Sequence, residues 1–305
     1  MVNGPISQVG EARAHYDAAV ARVADSPGDP ALRGRHARAA LGLLHAYVGV
    51  GNVGAARALY DEVRGIADDM PADAAIREGA ALAAATLTHA YGAAGRLGEA
   101  RSRYNDLRDL AAAQPDAPPV RKAQTLAALS LILLCGEAGM TATARALYDE
   151  MRGIASRLPD EPAMRQRMAH AAAALVQAHG RARDIAAAHG YYAELRALAG
   201  RFAEDESLRR FVAQAAVVLA DGCAGAGDLA AARARFDELR ELAVPRPYER
   251  ALLEAEARVA MILISAYQDR RDAERLRVLA DEVAGIPLLE STIVELFYAK
   301  MNGNG

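Results

Sequence analysis

The sequence predicts an all-α fold, a solenoid of about six helix-turn-helix repeats with an extra helix at each end. Three observations predict this fold. An aromatic residue recurs at steps of 44, a leucine recurs at the same step, and no segment alternates like a β-strand. Alanine dominates the apolar residues, while only 4 are Phe and none are Trp, which suits close helix–helix contact rather than a sheet core.

Columns of like residues, one step apart, carry the period. The aromatic column is Tyr16, Tyr60, Tyr104, Tyr148, Tyr192 and Phe236. The leucine column is Leu43, Leu87, Leu131, Leu175, Leu219 and Leu263, and an alanine column lies three residues before it. Unchanging columns are expected to form the core, because each unit packs the same faces against its neighbours. The tyrosine hydroxyls are expected to reach a partner or water at the edge of a groove.

Each unit is predicted to hold two helices joined by a tight turn. Glycine, which readily adopts the left-handed conformation, ends the first helix in four units at Gly51, Gly95, Gly139 and Gly227. Arginine takes this place in the other two units, at Arg183 and Arg271, where backbone strain is expected. The next residue is predicted to cap the second helix at Asn52, Asp184, Asp228 and Asp272.

We expect one domain over residues 1–305. Its helix pairs are predicted at 31–68, 74–112, 118–157, 162–200, 206–243 and 247–286. Residues 8–24 are predicted to form an N-terminal half repeat or cap, and 288–302 a C-terminal capping helix. Because that last helix is rich in aromatic residues, it would be a self-association surface if exposed.

The turn and its flanks resemble a tetratricopeptide repeat. Leu87, Tyr91, Gly95, Ala100 and Tyr104 reproduce the family's ladder of leucine, tyrosine, glycine, alanine and aromatic residue. The resemblance implies a right-handed α-solenoid whose first helices line a concave groove for a peptide or a partner helix. The unit here is 44 residues long, whereas the usual family period is 34, so the superhelical pitch cannot be transferred.

A second resemblance supports an alternative function. Residues 144–152 are similar to pentatricopeptide repeats, which implies binding of single-stranded RNA. The formal net charge of −3 gives this alternative little support, because nucleic-acid-binding domains are usually basic. Self-association as an assembly module, or membership of a larger multidomain protein, is a further alternative.

The tetratricopeptide resemblance assigns three columns of the first helices to the groove. The predicted partner-binding residues are Arg38, Leu41, His45, Leu82, Ala85, His89, Leu126, Leu129, Leu133, His170, Gln177, Gln214, Asp221, Arg258 and Ser265. Polar residues stand at both ends of these columns, and the middle around Leu126, Leu129 and Leu133 is apolar. We therefore expect the apolar anchors of a helix or an extended peptide to dock centrally.

Arginine columns invite a nucleic-acid interpretation, but helical spacing favours ion pairs. Four arginines precede an aspartate by one helical turn: Arg57–Asp61, Arg145–Asp149, Arg233–Asp237 and Arg277–Asp281. Another column lies in the first turn of the first helices, where the helix dipole disfavours a cation: Arg33, Arg77, Arg121, Arg165 and Arg209. These arginines are expected to bond carboxylates or carbonyls that end the preceding unit; an anionic ligand is the alternative.

The sequence predicts a non-catalytic protein without a metal or cofactor. It contains no glycine-rich phosphate loop, no metal-ligand spacing of Cys or His, and no nucleophile beside a base. Cys135 and Cys223 lie two repeats apart in one column and are expected to be free thiols. No apolar run of membrane-spanning length and no N-terminal signal peptide is present, so we expect a cytoplasmic protein without membrane contact.

Overall fold

The structure is a computed structural model that describes residues 5–114, 117–158, 161–246 and 248–283. These residues form thirteen α-helices and no strand, which confirms the expected all-α fold. The predicted C-terminal capping helix at 288–302 lies outside the described residues, as do 284–286 of the last predicted helix pair.

The helices follow the expected order. They are α1 (Pro5–Asp25), α2 (Pro30–Gly49), α3 (Val53–Asp69), α4 (Ala74–Ala93), α5 (Leu97–Ala112), α6 (Pro118–Glu137), α7 (Thr141–Ala155), α8 (Pro162–Arg181), α9 (Ile185–Arg201), α10 (Glu206–Ala226), α11 (Leu229–Ala243), α12 (Arg250–Asp269) and α13 (Ala273–Val283). Helix α1 spans residues 8–24, and two helices lie at each of the six ranges expected to hold a helix pair, with some ends one residue outside them. The capping role of α1 stays a prediction.

The described helices group into two compact units. Unit 1 takes in the residues up to Ala138 and from Ala142 to Arg167, and unit 2 takes in Gly139–Thr141 and the residues from Met168 onward. In unit 1, α2 packs against α1, α3 and α4, and α4 packs against α5 and α6. In unit 2, α10 packs against α9, α11 and α12, and α12 packs against α11 and α13. First helices therefore contact first helices within each unit. The expectation of one domain stays a prediction.

The leucine column lies in the core. All six leucines, from Leu43 to Leu263, are at most 1% exposed, and the alanines three residues earlier are at most 2% exposed. Small residues at these positions let neighbouring first helices approach closely. At Gly79 on α4, an added Cβ would stand 2.5 Å from Leu41 Cδ1 on α2. Close approach of the first helices is therefore built into the sequence.

The turns within the helix pairs have the predicted left-handed residue and the predicted N-cap. The four predicted glycines have φ between 69° and 88°, and Arg183 and Arg271 adopt the same left-handed region at 58° and 56°. This conformation costs a non-glycine residue roughly 1–2 kcal/mol. The four predicted caps accept backbone N–H bonds three residues on, for example Asp228 from Ala231 at 2.9 Å. Both expectations are confirmed.

Three tyrosine hydroxyls of the aromatic column have a carboxylate as their hydrogen-bond partner. Tyr16 donates to Glu62 at 2.8 Å, and Tyr192 donates to Glu238 at 2.9 Å. Tyr60 likewise donates to Asp106, and in all three pairs the acceptor lies 46 residues after the tyrosine. Each bond joins a second helix to the next second helix along the chain. We call these pairs the tyrosine–carboxylate bonds.

The aromatic column ends in unit 2 with Phe236, where a different bond replaces the tyrosine–carboxylate bond. Phe236 has no hydroxyl, and the carboxylate of Glu282, 46 residues on, accepts from Arg233 at 2.5 Å instead. Burial first, and then Glu62, raises the pKa of Tyr16 to about 12. Burial and Glu238 likewise raise the pKa of Tyr192. The hydroxyls therefore stay protonated and act as donors.

Two of the first-turn arginines, Arg33 and Arg209, bond acceptors that lie mostly outside the preceding helix pair. Arg33 on α2 bonds Asp69, which ends α3, the second helix of the same helix pair. Arg209 bonds the carboxylate of Glu249 at 2.8 Å, ahead of the next first helix, and also the carbonyl of Ala203. Of these acceptors the Ala203 carbonyl follows the preceding helix pair, as expected, whereas Asp69 and Glu249 lie further along the chain than the arginine that they bond.

The outer-face ion pairs form in part. Arg57–Asp61 at 3.7 Å and Arg233–Asp237 at 2.9 Å follow the expected spacing. Asp149 instead pairs with Arg152 at 2.9 Å. Within the described residues Arg277 and Asp281 form no ion pair.

The two cysteines are buried free thiols, as expected. Burial raises the pKa of the Cys135 and Cys223 thiols above the ordinary value. Neither thiol is activated as a nucleophile, because the thiolate is the reactive form.

A cleft along the first helices of unit 2

Nine predicted groove residues lie in unit 1, on α2, α4 and α6. Arg38, His45, Leu82 and His89 are exposed, and Leu41, Leu126 and Leu133 are half-buried. Ala85 and Leu129 are 0% and 8% exposed, so their predicted contact with a partner is corrected. Neighbouring first helices pack so closely here that the facing side chains are covered.

The polar groups on this face of unit 1 bond their own surroundings. His45 Nδ1 lies 2.8 Å from the carbonyl of Leu41, and its Nε2 lies 3.4 Å from the Thr86 hydroxyl. His89 Nδ1 lies 3.4 Å from the Ser130 hydroxyl. These contacts tie adjacent first helices together and leave fewer free groups for a ligand.

The other six predicted groove residues lie in unit 2. Gln177, Gln214, Asp221, Arg258 and Ser265 are exposed. His170 is half-buried and stacks on Phe211 with ring centroids 4.9 Å apart. Burial lowers the pKa of His170, so its imidazole is held neutral and serves packing.

Helices α8, α10 and α12 enclose a cleft that we call the unit-2 cleft. It has two adjoining parts of about 530 Å³ and 710 Å³, each within the size range of ligand pockets. The two parts share Gly180, Arg181, Asp221, Gly222, Met261 and Ile262. Of the predicted groove residues, the cleft includes Gln177, Asp221, Arg258 and Ser265.

The floor of the unit-2 cleft is apolar. Val217, Val218 and Ile262 are half-buried, and Met261 is 42% exposed. The helices beneath approach closely at Gly180, where an added Cβ would stand 2.8 Å from Val218 Cγ1. The floor therefore offers fixed aliphatic surface, with one flexible methionine, to an apolar side chain.

The rim of the unit-2 cleft carries polar groups without partners. Gln177, Asp221 and Arg258 are exposed, and within the described residues their side chains make no hydrogen bond or ion pair. An amide, a carboxylate and a guanidinium together supply donors and acceptors of both charges. A peptide carries matching groups on its backbone and side chains.

One strained turn borders the cleft. Arg183, with φ of 58°, lines the part of the cleft near the turns. On the opposite side, Arg270 donates from Nη2 to the carbonyl of Gly227 at 2.8 Å. Strained backbone persists only where the surrounding structure holds it in place, and it clusters at functional sites.

Sequence reasoning missed several cleft residues. Arg181, Gly180 and Gly222 were not assigned to the groove, because the family columns place only three positions of each first helix there. A signal was present at Arg183, where arginine occupies a glycine position.

No group of three or more His, Cys, Asp or Glu side chains in the part of the chain that the structure describes could hold a metal ion. No described helix has the length and hydropathy needed to span a bilayer.

No family model matches the chain, and no curated protein matches it. The crystal structure of BtubC (BKLC) from P. vanneervenii is similar, with a TM-score of 0.57 and 18% sequence identity. The match covers 81% of this chain and 93% of that chain. At this identity the likeness concerns the fold alone.

Proposed function

We propose that this chain is a non-catalytic protein-interaction scaffold, a right-handed α-solenoid similar to tetratricopeptide arrays. Its first helices bind a peptide or a partner helix. The observation that carries the proposal is the unit-2 cleft, in which an apolar floor is bordered by polar side chains without partners. Such a combination of buried apolar anchor and oriented polar groups is typical of peptide recognition.

The chemistry of the cleft defines the ligand. An apolar side chain of the ligand packs on Val217, Met261 and Ile262. Arg258 bonds a carboxylate or a carbonyl of the ligand, and Asp221 bonds an amide N–H or a basic side chain. The seat differs from the central one expected around Leu126, Leu129 and Leu133, because Leu129 is buried and none of the three lines the unit-2 cleft.

Two observations favour a protein ligand over single-stranded RNA. Arginines on the outer face are engaged by carboxylates, as in Arg233–Asp237. The cleft itself contains the free carboxylate of Asp221, which would repel a phosphate backbone.

Selection of displayed random peptides against the full chain tests the proposal. We expect selected peptides to share an apolar anchor, and Met261→Glu to weaken their binding by about tenfold or more. The matched control is Val278→Glu, which places the same charge at a residue of α13 that is 50% exposed and outside the cleft. Circular dichroism checks that both variants stay helical.

Three outcomes decide the matter. Peptides that bind Met261→Glu and the native chain equally would reject the unit-2 cleft. If only Leu126→Glu and Leu133→Glu abolish binding, the central seat is correct. Binding of a mixed single-stranded RNA pool, falling steeply with salt, would replace the proposal with the RNA-binding alternative.

A further inference from the structure

A second cleft lies between α1 and α2 of unit 1, and we call it the α1–α2 cleft. Its volume is about 470 Å³. Four basic side chains line it, His15 and Arg22 from α1 and Arg35 and Arg38 from α2, and no acidic residue does. The remaining lining residues are small or apolar, among them Ala19 and Ala39.

The equivalent face one repeat later shows what shape fits this cleft. Helices α3 and α4 stand 44 residues after α1 and α2, and α2 packs against both of them. Leu59 and Ile66, the counterparts of His15 and Arg22, are 7% and 8% exposed. A helix therefore occupies the face formed by α3 and α4.

Charge distinguishes the two faces. Four apolar counterparts, Leu59, Ile66, Gly79 and Leu82, become four basic residues at the α1–α2 cleft. Within the described residues, the side chains of His15, Arg22 and Arg35 make no hydrogen bond or ion pair.

In the part of the chain that the structure describes, Arg38 is the basic lining residue with a side-chain hydrogen bond, and that bond is not to an acid. Its Nε donates to the Gly34 carbonyl at 3.2 Å. The nearby carboxylate of Asp73 caps α4 by accepting from Ala75 at 3.0 Å. Uncompensated positive charge in a helix-sized cleft is complementary to a helix with acidic residues.

We propose that the α1–α2 cleft binds an acidic amphipathic helix of a partner protein. The helix lies where α2 lies on α3 and α4. Its apolar stripe packs on Ala19 and Ala39, and its carboxylates pair with Arg22, Arg35 and Arg38. This site is separate from the unit-2 cleft, and neither proposal depends on the other.

A designed peptide tests the proposal on the full chain. The probe is a fluorescent, alanine-rich helical peptide of ~15 residues, with glutamates along one edge of a leucine stripe. Its control has glutamine in place of every glutamate. We expect the acidic peptide to bind, with an affinity that falls as salt rises, and the glutamine peptide to bind at least about tenfold more weakly.

Variants locate the binding. Arg22→Gln with Arg35→Gln should weaken the acidic peptide by about tenfold or more, while Arg57→Gln with Arg101→Gln, which removes two charges elsewhere in unit 1, should change it little. All four arginines are exposed, so the fold should hold, and circular dichroism checks it.

Other results would overturn the proposal. Equal binding of both peptides, equal loss in both variant pairs, or no binding at all would each reject an acidic-helix site. Competition against the bound fluorescent peptide separates a phosphate ligand from an acidic helix. If inorganic phosphate or single-stranded RNA displaces it fully at a lower concentration than unlabelled acidic peptide does, the cleft binds phosphate instead.

Discussion

The first-helix faces of units 1 and 2 differ in two respects. In unit 1 both left-handed turns are glycine, Gly51 and Gly95, and His45 bonds the Leu41 carbonyl. In unit 2 two left-handed turns are arginine, Arg183 and Arg271, and the polar rim of the unit-2 cleft has no partner. In unit 2 the strained turn at Arg183 and the unpartnered polar rim therefore border the same cleft.

This difference indicates a division of roles. At these turns unit 1 has the glycine that a left-handed backbone favours, whereas unit 2 has arginine at Arg183, beside an open cleft. Natural proteins break local rules mainly at functional sites. The comparison thus supports placing the peptide-binding function in unit 2, and four measurements can break or sharpen it.

The largest effect should come from the leucine column. Leu131→Ala in unit 1 and Leu219→Ala in unit 2 remove fully packed side chains, and each should cost about 2–5 kcal/mol of unfolding free energy. Hydrogen exchange, resolved by helix, should show the loss of protection mainly in the unit that carries the change. Equal loss in α4 and α10 from either variant would mean that the units unfold together, which would weaken the comparison.

A tyrosine–carboxylate bond should contribute less. Tyr192→Phe in unit 2 should cost about 1 kcal/mol, because the buried hydroxyl is lost while Glu238 keeps Arg196 at 2.7 Å. Tyr16→Phe in unit 1 should cost less, since Tyr16 is half-buried. Denaturant unfolding measures both, and the opposite order would contradict this assignment.

The strained turn should give a gain in stability. Arg183→Gly removes the backbone strain of an arginine in the left-handed conformation. Glycine also gives the unfolded chain more conformational entropy, which offsets part of this gain, so the native state should be stabilised by about 0.5–1 kcal/mol. The same variant should weaken peptides selected on the unit-2 cleft, because Arg183 lines it.

Gly95→Ala in unit 1 is the matched control for the turn, because φ is 69° there. It should destabilise by roughly 1 kcal/mol without changing peptide binding. Thermal unfolding that shows no gain for Arg183→Gly would mean that the strain is absent.

The smallest effect concerns pH. Burial lowers the pKa of His170 in unit 2, so the folded state disfavours the charged imidazole. Stability from this group is present above the unfolded pKa of about 6.5 and is lost as pH falls below it. His170→Gln should therefore flatten the fall in Tm between neutral and mildly acidic pH. A profile unchanged by the substitution would show that other groups cause the fall.

Local features were predictable from the sequence, because the residues that form them are adjacent in the chain. The turn glycines and the caps at Asn52 and Asp184 are examples. The burial of Ala85 and Leu129 was not predictable, since the rotation of a helix against its neighbour depends on packing across the whole interface. The spacing of three and four residues fixes a helix face but not what covers it.

The tyrosine–carboxylate bonds were missed although the sequence contains their signal. An acidic residue recurs at steps of 44, at Glu62, Asp106, Glu150, Glu194, Glu238 and Glu282. Single-unit reasoning treats these residues as exposed charges on a second helix. Only a comparison between a tyrosine and the acid 46 residues later connects the two columns.

The spacing of 46 residues between tyrosine and acid sets a rule for recombining, removing or adding helix pairs in this chain. A helix pair whose second helix carries the tyrosine must be joined to one that places an acid 46 residues after it. A helix pair with phenylalanine at this position, such as Phe236, needs an arginine on the same helix to donate to the acid, as Arg233 does to Glu282. A mismatched junction would lack this bond between neighbouring second helices, and the hybrid would fray there first.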